Sequence, residues 1–260
     1  MLLSGMIYEE LSPGPAAAPL VDSYWRFRLA DGAREAVSHV IVPDAMTSLS
    51  IAVAEGGTSP LLIAGPTRQA HVTSVQPGLV YGGARLKPAA AALLLGVAGV
   101  DLRGRFGPVA PPLTPPEGVK PALAGFARTG APAALDELFA AMVAGLALDT
   151  AVAAVSEALV ASCGRGQIAD LAQGAGISER QLRRRFFDAT GTTPKEFAGI
   201  RRLREACTQA VAHQASWAQA AAAADYADQA HLSRSVREAF AATPRRVAKY
   251  LRQIEHRFGA

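Results

Sequence analysis

The sequence predicts a mixed fold of two domains: a mainly β N-terminal domain, a small sheet or barrel with helices, and an all-α C-terminal domain of two helix-turn-helix units. Three observations predict it. Short β-branched or apolar runs, punctuated by Pro and Gly, fill the first hundred residues. A stretch with six prolines, GPVAPPLTPPEGVKP, follows at 107–121. Beyond residue 160 the chain repeats itself, with matching positions 50 residues apart.

In the N-terminal part, residues 37–42, 47–53 and 61–63 read as strands. Pro43-Asp44, Gly56-Gly57, Gly65-Pro66 and Gln76-Pro77-Gly78 mark the turns between them. Residues 1–106 thus form one domain, and 107–121 reads as a semi-rigid Pro-rich linker. Residues 122–161 are expected as connecting helices, because LDELFAAMVAGL and DTAVAAVSEALV carry apolar positions at helical spacing. Residues 162–260 hold the tandem units.

Half of the 260 residues are hydrophobic, enough for a sizeable core. The formal charge of +4 hides an asymmetry: residues 1–149 carry a net −2 and residues 150–260 a net +6. A basic domain beside a near-neutral one points to a polyanionic partner for the basic part, although many solvated domains carry as much charge without one. Cys163 and Cys207 are the two cysteines, with no zinc-like spacing, so a reducing, cytoplasmic setting is expected, without metal or cofactor. The first residues, MLLSGMIYEELSPG, lack a basic start and an apolar stretch, so no signal peptide is expected. The longest apolar run, 89–100, is too short to span a bilayer, and no membrane partner is expected.

The repeat is the most informative feature. Leu182/Leu232, Arg184/Arg234, Phe186/Val236, Thr193/Thr243, Pro194/Pro244 and Lys195/Arg245 are the matching pairs. In the first unit, residues 168–173 form a short helix and Gly174-Ala175-Gly176 a turn. Ser178 caps the next helix, predicted over 178–187. Ile177, Leu182 and Phe186 face inward, while Arg180, Gln181, Arg183 and Arg184 crowd the rest of the surface. Thr193 and Pro194 open a third helix, 195–211. The second recognition helix is predicted over 228–240, presenting Gln229, Ala230, Ser233, Arg234 and Arg237. Arg and Gln suit bidentate contacts to guanine and adenine in a major groove, and further Arg and Lys side chains suit phosphates. A plain solvated helix face is the competing reading, which the turn chemistry and the second copy weigh against.

These residues resemble the AraC-type transcription regulators over about 160–250. Gly176-Ile177-Ser178, Leu182 through Phe186 and Gly191-Thr192-Thr193-Pro194 carry the resemblance in the first unit. Tyr226 through Arg234 and Thr243-Pro244 carry it in the second. The resemblance implies two helix-turn-helix subdomains joined by a linker helix, each offering one recognition helix to double-stranded DNA. It implies DNA contacts by Ser178, Glu179, Arg180, Gln181, Arg183, Arg184 and Lys195, and by Asp228, Gln229, Ala230, His231, Ser233, Arg234 and Arg237. The second unit departs from the family: Asp225 stands for a turn Gly, Ala227 for Ser, Val236 for Phe and Ala241 for Gly. The second N-cap is then expected to be weaker or to shift to Asp228. Residues 1–106 also resemble an N-terminal domain attached to some such regulators, through Val21-Asp22-Ser23-Tyr24-Trp25, Val42-Pro43-Asp44, Ala64-Gly65-Pro66 and Gln76-Pro77-Gly78. It implies sensing of a small-molecule effector or homodimerisation, and RNA polymerase as a further partner if the protein is an activator.

Other residues are weighed separately. Tyr24, Trp25 and Phe27 are candidates for a ligand pocket, against packing on both faces of a strand. His39, Asp44 and His71 lack the clustering of a metal site. Cys163 is the one candidate redox or alkyl-accepting thiol. Two alternatives to a regulator are a DNA-repair alkyl-transfer protein and an interaction protein whose second unit has lost DNA contact. No catalytic motif is present, so an enzyme is not expected.

Overall fold

The computed structural model describes residues 6–212, 215–251 and 254–258. The N-terminal part contributes strands β1 (Met6–Leu11), β2 (Val21–Leu29), β3 (Val37–Ile41), β4 (Thr47–Ala54), β5 (Gly57–Thr58), β6 (Leu62–Ala64), β7 (His71–Val75) and β8 (Val80–Leu86). Helices α1 (Pro88–Leu94) and α2 (Gly99–Leu102) and strand β9 (Phe106–Pro108) follow. The rest is helical: α3 (Val119–Thr129), α4 (Ala133–Val143), α5 (Thr150–Ala161), α6 (Ile168–Gly174), α7 (Glu179–Thr190), α8 (Pro194–Ala212), α9 (Trp217–Ala223), α10 (Gln229–Phe240) and α11 (Pro244–Leu251). A last strand, β10 (Ile254–Phe258), closes the described chain. The mixed, two-part architecture expected from the sequence is present.

One eight-stranded sheet runs in the order β10-β1-β2-β8-β4-β6-β9, with β5 paired to β4, and β3 and β7 form a separate antiparallel pair. Neighbours in the large sheet are antiparallel except β1 and β10, which are parallel from Met6 opposite Ile254 to Glu10 opposite Phe258. The side-chain period of two explains the layering. Tyr24 points to the face covered by α3 and α4, where Leu20, Leu49, Ile51, Leu86, Leu123, Phe126, Leu135 and Phe139 complete the main core. Phe27 and Leu29 point to the opposite face, with Met6 and Val75. The Pro-rich stretch 107–121 lies against the main core: Leu113 and Val119 are buried, and the Thr114 N–H donates to the Leu95 carbonyl at 2.9 Å. Of the helices in 122–161, α3 and α4 join this core and α5 joins the next one.

Helix α1 is the seam between the two halves. Pro88 begins it, where a missing N–H does no harm. Its small side chains are buried in both directions: Ala90, Ala91 and Leu94 toward the sheet, Ala89 toward a second core of α5, α6 and α7. Ala45 and Met46 join that second core from the N-terminal domain.

A buried charge cluster ties the sheet to the loop before β4. Arg85 contacts Glu10 at 2.6 Å, Asp44 at 2.8 Å, Asp22 at 3.7 Å and the Ser23 hydroxyl at 3.0 Å. Burial alone raises the Glu10 carboxyl pKa, but the Arg85 charge and hydrogen bonds from Ser23 and Tyr8 outweigh it and bring the value down from 4.5 to about 2. A depressed carboxylate stabilises the fold above its unfolded pKa and loses that contribution as pH falls toward its folded one, here about 3 kcal/mol in all. Stability should therefore fall between about pH 5 and pH 2. Denaturant unfolding across that range should show a shallower pH slope in Glu10→Gln; an unchanged slope would place the acid sensitivity elsewhere.

Candidate nucleic-acid interface

The first unit is built as its sequence dictates. After α6, Gly176 takes φ +71°, a left-handed geometry that glycine adopts without penalty, and turns the chain into α7. Ser178 caps α7: its hydroxyl accepts from the Gln181 N–H at 3.2 Å, while the Gln181 side-chain oxygen accepts from the Ser178 N–H at 2.9 Å. Such a cap contributes about 1 kcal/mol. Leu182 and Phe186 are fully buried, with Phe186 edge-on to Phe197 of α8 at 5.5 Å between centroids. Glu179, Arg180, Gln181, Arg183 and Arg184 are exposed. No salt bridge among the described residues holds Arg180, Arg183 or Arg184. Arg185, one position on, is different: it grips Asp149 with two bonds of 2.7 Å, and Asp149 also caps α5. Burial raises the Asp149 pKa, but Arg185 and the cap donors more than reverse this. Thr193 accepts from the Glu196 N–H at 3.2 Å at the start of α8, leaving Lys195 exposed beside it.

The second unit repeats this plan with a longer turn. The Asp225 N–H bonds to the Ala222 carbonyl as the Gly176 N–H bonds to Gln173, so Asp225 takes the place of that glycine, at φ +58°. One residue more, Ala227, then precedes the cap, which is Asp228; its carboxylate accepts from the His231 N–H at 2.6 Å. Leu232 and Val236 are fully buried, Val236 filling the place of the family's larger Phe. Gln229, Ala230, Ser233, Arg234 and Arg237 line one shallow concavity along α10. His231 is exposed and lies edge-on to Tyr226 at 5.0 Å. Trp217 packs against this unit's core, and Ser216 before it makes a capping box with Gln219.

The two recognition helices thus run 179–190 and 229–240, the first ending three residues later than predicted. Their exposed Arg and Gln faces gather the predicted DNA-contacting residues into two groups, with α8 between them. The Gln181 carbonyl is engaged in its cap, so its amide N–H is the group left to read a base. The aromatic trio does not form one site. Tyr24 is buried between Phe126 and Phe139 and donates to Asp136 at 3.0 Å, while Trp25 and Phe27 pack on the other face of β2. His39 pairs with Tyr250, and His71 stacks on Phe106 at 4.3 Å. Among the described residues no group of three His, Cys, Asp or Glu stands close enough for a metal, and no helix is long and apolar enough to cross a membrane. Neither cysteine is set up as a nucleophile. Burial pushes the Cys207 thiol up to about 12, and burial, then Glu205, raises that of Cys163. Sequence reasoning missed Asp149, whose capping position before Thr150 was legible although its pairing with Arg185 was not. It also missed Arg103, which donates to the Gly191 carbonyl at the end of α7 and to the Glu196 carboxylate of α8, and which nothing in the local sequence marks.

Two capped helices, each anchored by buried apolar residues and each presenting exposed Arg and Gln side chains, define a tandem helix-turn-helix DNA-binding domain. Residues 171–250 match the helix-turn-helix domain family, and this segment is an AraC-type helix-turn-helix domain. Residues 9–107 match a second family, described as a domain of unknown function (DUF6597). Among solved structures, a transcriptional regulator of Chromobacterium violaceum with an AraC-type DNA-binding domain is similar at 26% identity, over 38% of this chain and 89% of that one, with a TM-score of 0.36. The xylose-binding transcription activator xylR is similar at 19% identity, over 40% of this chain and 27% of that one, with a TM-score of 0.36. ToxT from Vibrio cholerae O395 is similar at 10% identity, over 84% and 98%, with a TM-score of 0.44. No curated protein matches the chain.

The departures in the second unit have an energetic consequence. Ala241 caps α10 at φ +48°, where the first unit has Gly191 at φ +70°. A Cβ in left-handed geometry costs about 1–2 kcal/mol. Ala241→Gly should therefore stabilise the protein by about 0.5–1 kcal/mol after the flexibility of glycine in the unfolded chain is subtracted. The mirror change, Gly191→Ala, should destabilise by more, because the new Cβ would stand 2.4 Å from the Gly99 carbonyl oxygen. Denaturant melts of both variants check the pair; a destabilising Ala241→Gly would contradict it.

Proposed function

We propose that the protein is a sequence-specific transcription regulator that reads double-stranded DNA with α7 and α10, under control of its N-terminal domain. The observation that carries this reading is the pair of capped helices whose exposed Arg180, Arg183, Arg184, Arg234 and Arg237 side chains lack ion-pair partners among the described residues. The N-terminal domain is the proposed receiver of a small ligand or of a second copy of the chain. A shallow apolar groove lined by Leu61, Val109, Pro111, Leu113, Pro116 and Val119 supports the ligand option. An alkyl-transfer role is disfavoured by the two raised thiol pKa values. A partner-binding role for the second unit is disfavoured by its intact cap and its basic α10 face.

Selection of bound fragments from random duplex DNA tests the reading and yields the operator. Affinity for it should fall steeply as salt rises, since each phosphate contact releases counterions. No enrichment, and no binding at low salt, would refute the proposal. Arg180 lies in the first turn of α7, where base edges come closest, whereas Arg234 lies further along α10 and suits a phosphate. Arg180→Ala should relax preference at one or two base pairs by about 5- to 150-fold. Arg234→Ala should weaken all sequences alike and flatten the salt slope by about one unit. Competition binding with single-base operator variants separates the two; reversed behaviour would make α10 the principal reader.

A further inference from the structure

Each helix-turn-helix unit has its own core, and α8 is what they share. The first core ends on α8 at Ile200 and the second begins at Leu203, and no residue belongs to both. The units are therefore coupled to each other through this one helix, which is packed into both cores. The N-terminal domain, in contrast, touches both.

At the first unit, α2 lies backbone-to-backbone on the C-cap of α7. A Cβ on Gly99 would stand 2.5 Å from the Gly191 nitrogen and 2.6 Å from the Thr190 nitrogen. Arg103 closes the contact: it donates to the Gly191 carbonyl at 2.9 Å and to both carboxylate oxygens of Glu196, in the first turn of α8, at 2.6 and 3.0 Å. At the second unit, the Ala70 N–H donates to the Ala239 carbonyl of α10 at 2.7 Å. The Tyr250 hydroxyl of α11 accepts from the Val40 N–H at 2.6 Å and lies 2.8 Å from His39 Nδ1. Beyond α11, β10 adds itself to the edge of the N-terminal sheet. Between these grips, Arg201 on α8 lies within electrostatic reach of Asp44 and Asp22, and Arg204 within reach of Glu10.

None of these contacts uses a residue of the proposed DNA-facing surfaces, and together they hold both units and the helix between them. We infer that the N-terminal domain is a brace that sets the spacing and rotational phase at which α7 and α10 meet successive major grooves. Arg103 and Tyr250 are its positioning residues. The inference rests on the DNA-reading role proposed above and adds to it a second kind of specificity: selection for the distance between half-sites, separate from selection for bases. Breaking the brace leaves each recognition helix intact on its own core and leaves α8 to hold the two units, which widens the range of orientations they adopt.

The test uses the full chain and the selected operator, with one base pair inserted or deleted between the two half-sites. Each such change moves the second half-site by about 3.4 Å and rotates it by about 34°. The wild-type chain should lose at least about tenfold in affinity on either altered duplex, comparable to a mismatched base pair. In the Arg103→Ala, Tyr250→Phe double variant that loss should shrink to within about threefold, with base preference inside each half-site unchanged. Tyr250→Phe alone removes one hydroxyl and keeps the ring packed, so it should fold and show a partial effect of the same sign. Spacing penalties equal to wild type in the single and double variants would overturn the inference. So would a uniform gain or loss at every spacing. Failure of the wild-type chain to bind any duplex would overturn the DNA-reading role as well, and so is distinguishable from failure of the brace alone.

Discussion

The constraint on which the structure depends is that a recognition helix must be anchored through one face and left without partners on the other. Leu182 and Phe186 anchor α7, and Leu232 and Val236 anchor α10; all four are fully buried. Burying side chains of this size contributes about 1.5–3 kcal/mol each, far more than an exposed ion pair would. Arg180, Arg183 and Arg184 can therefore stay unpaired at little cost to the fold. Arg185 shows the alternative. One position further round the helix it meets Asp149, and a cation that could have served DNA instead locks α7 against α5.

The same economy appears at the helix ends. Orphan N–H groups at the start of α7, α9 and α10 are taken by Ser178, Ser216 and Asp228, so these starts are fixed locally. The α7 end is fixed from outside, by Gly99 and Arg103 of the N-terminal domain. A domain whose backbone touches the C-cap of a recognition helix is mechanically coupled to it, whatever ligand or partner that domain receives. Helix α1, with alanines toward both cores, makes the halves one packed body rather than two joined by a tether.

Local patterns were legible in the sequence and long-range pairings were not. The caps, the turn glycine, the tandem register and the buried positions of both recognition helices all follow from spacing within about a dozen residues. The shift of the second cap to Asp228 was legible too, and the structure explains it by the extra residue Ala227. The burial of Leu113 and Val119 was not legible, because prolines mark a stiff segment without showing what it packs against. Tyr24, Trp25 and Phe27 invited a shared pocket, but the strand alternation sends Tyr24 to one core and its neighbours to the other. Arg103, Arg185 and Tyr250 act through partners far away in sequence, and no local signal distinguishes them from solvated side chains.

The central claim is that two helices of one chain read successive major grooves on one face of DNA. Hydroxyl-radical footprinting of the full chain on its selected operator tests this most directly. The account predicts two protected windows on the same face of the duplex, centred about 10–10.5 base pairs apart. A single protected window, or two windows on opposite faces, would contradict it.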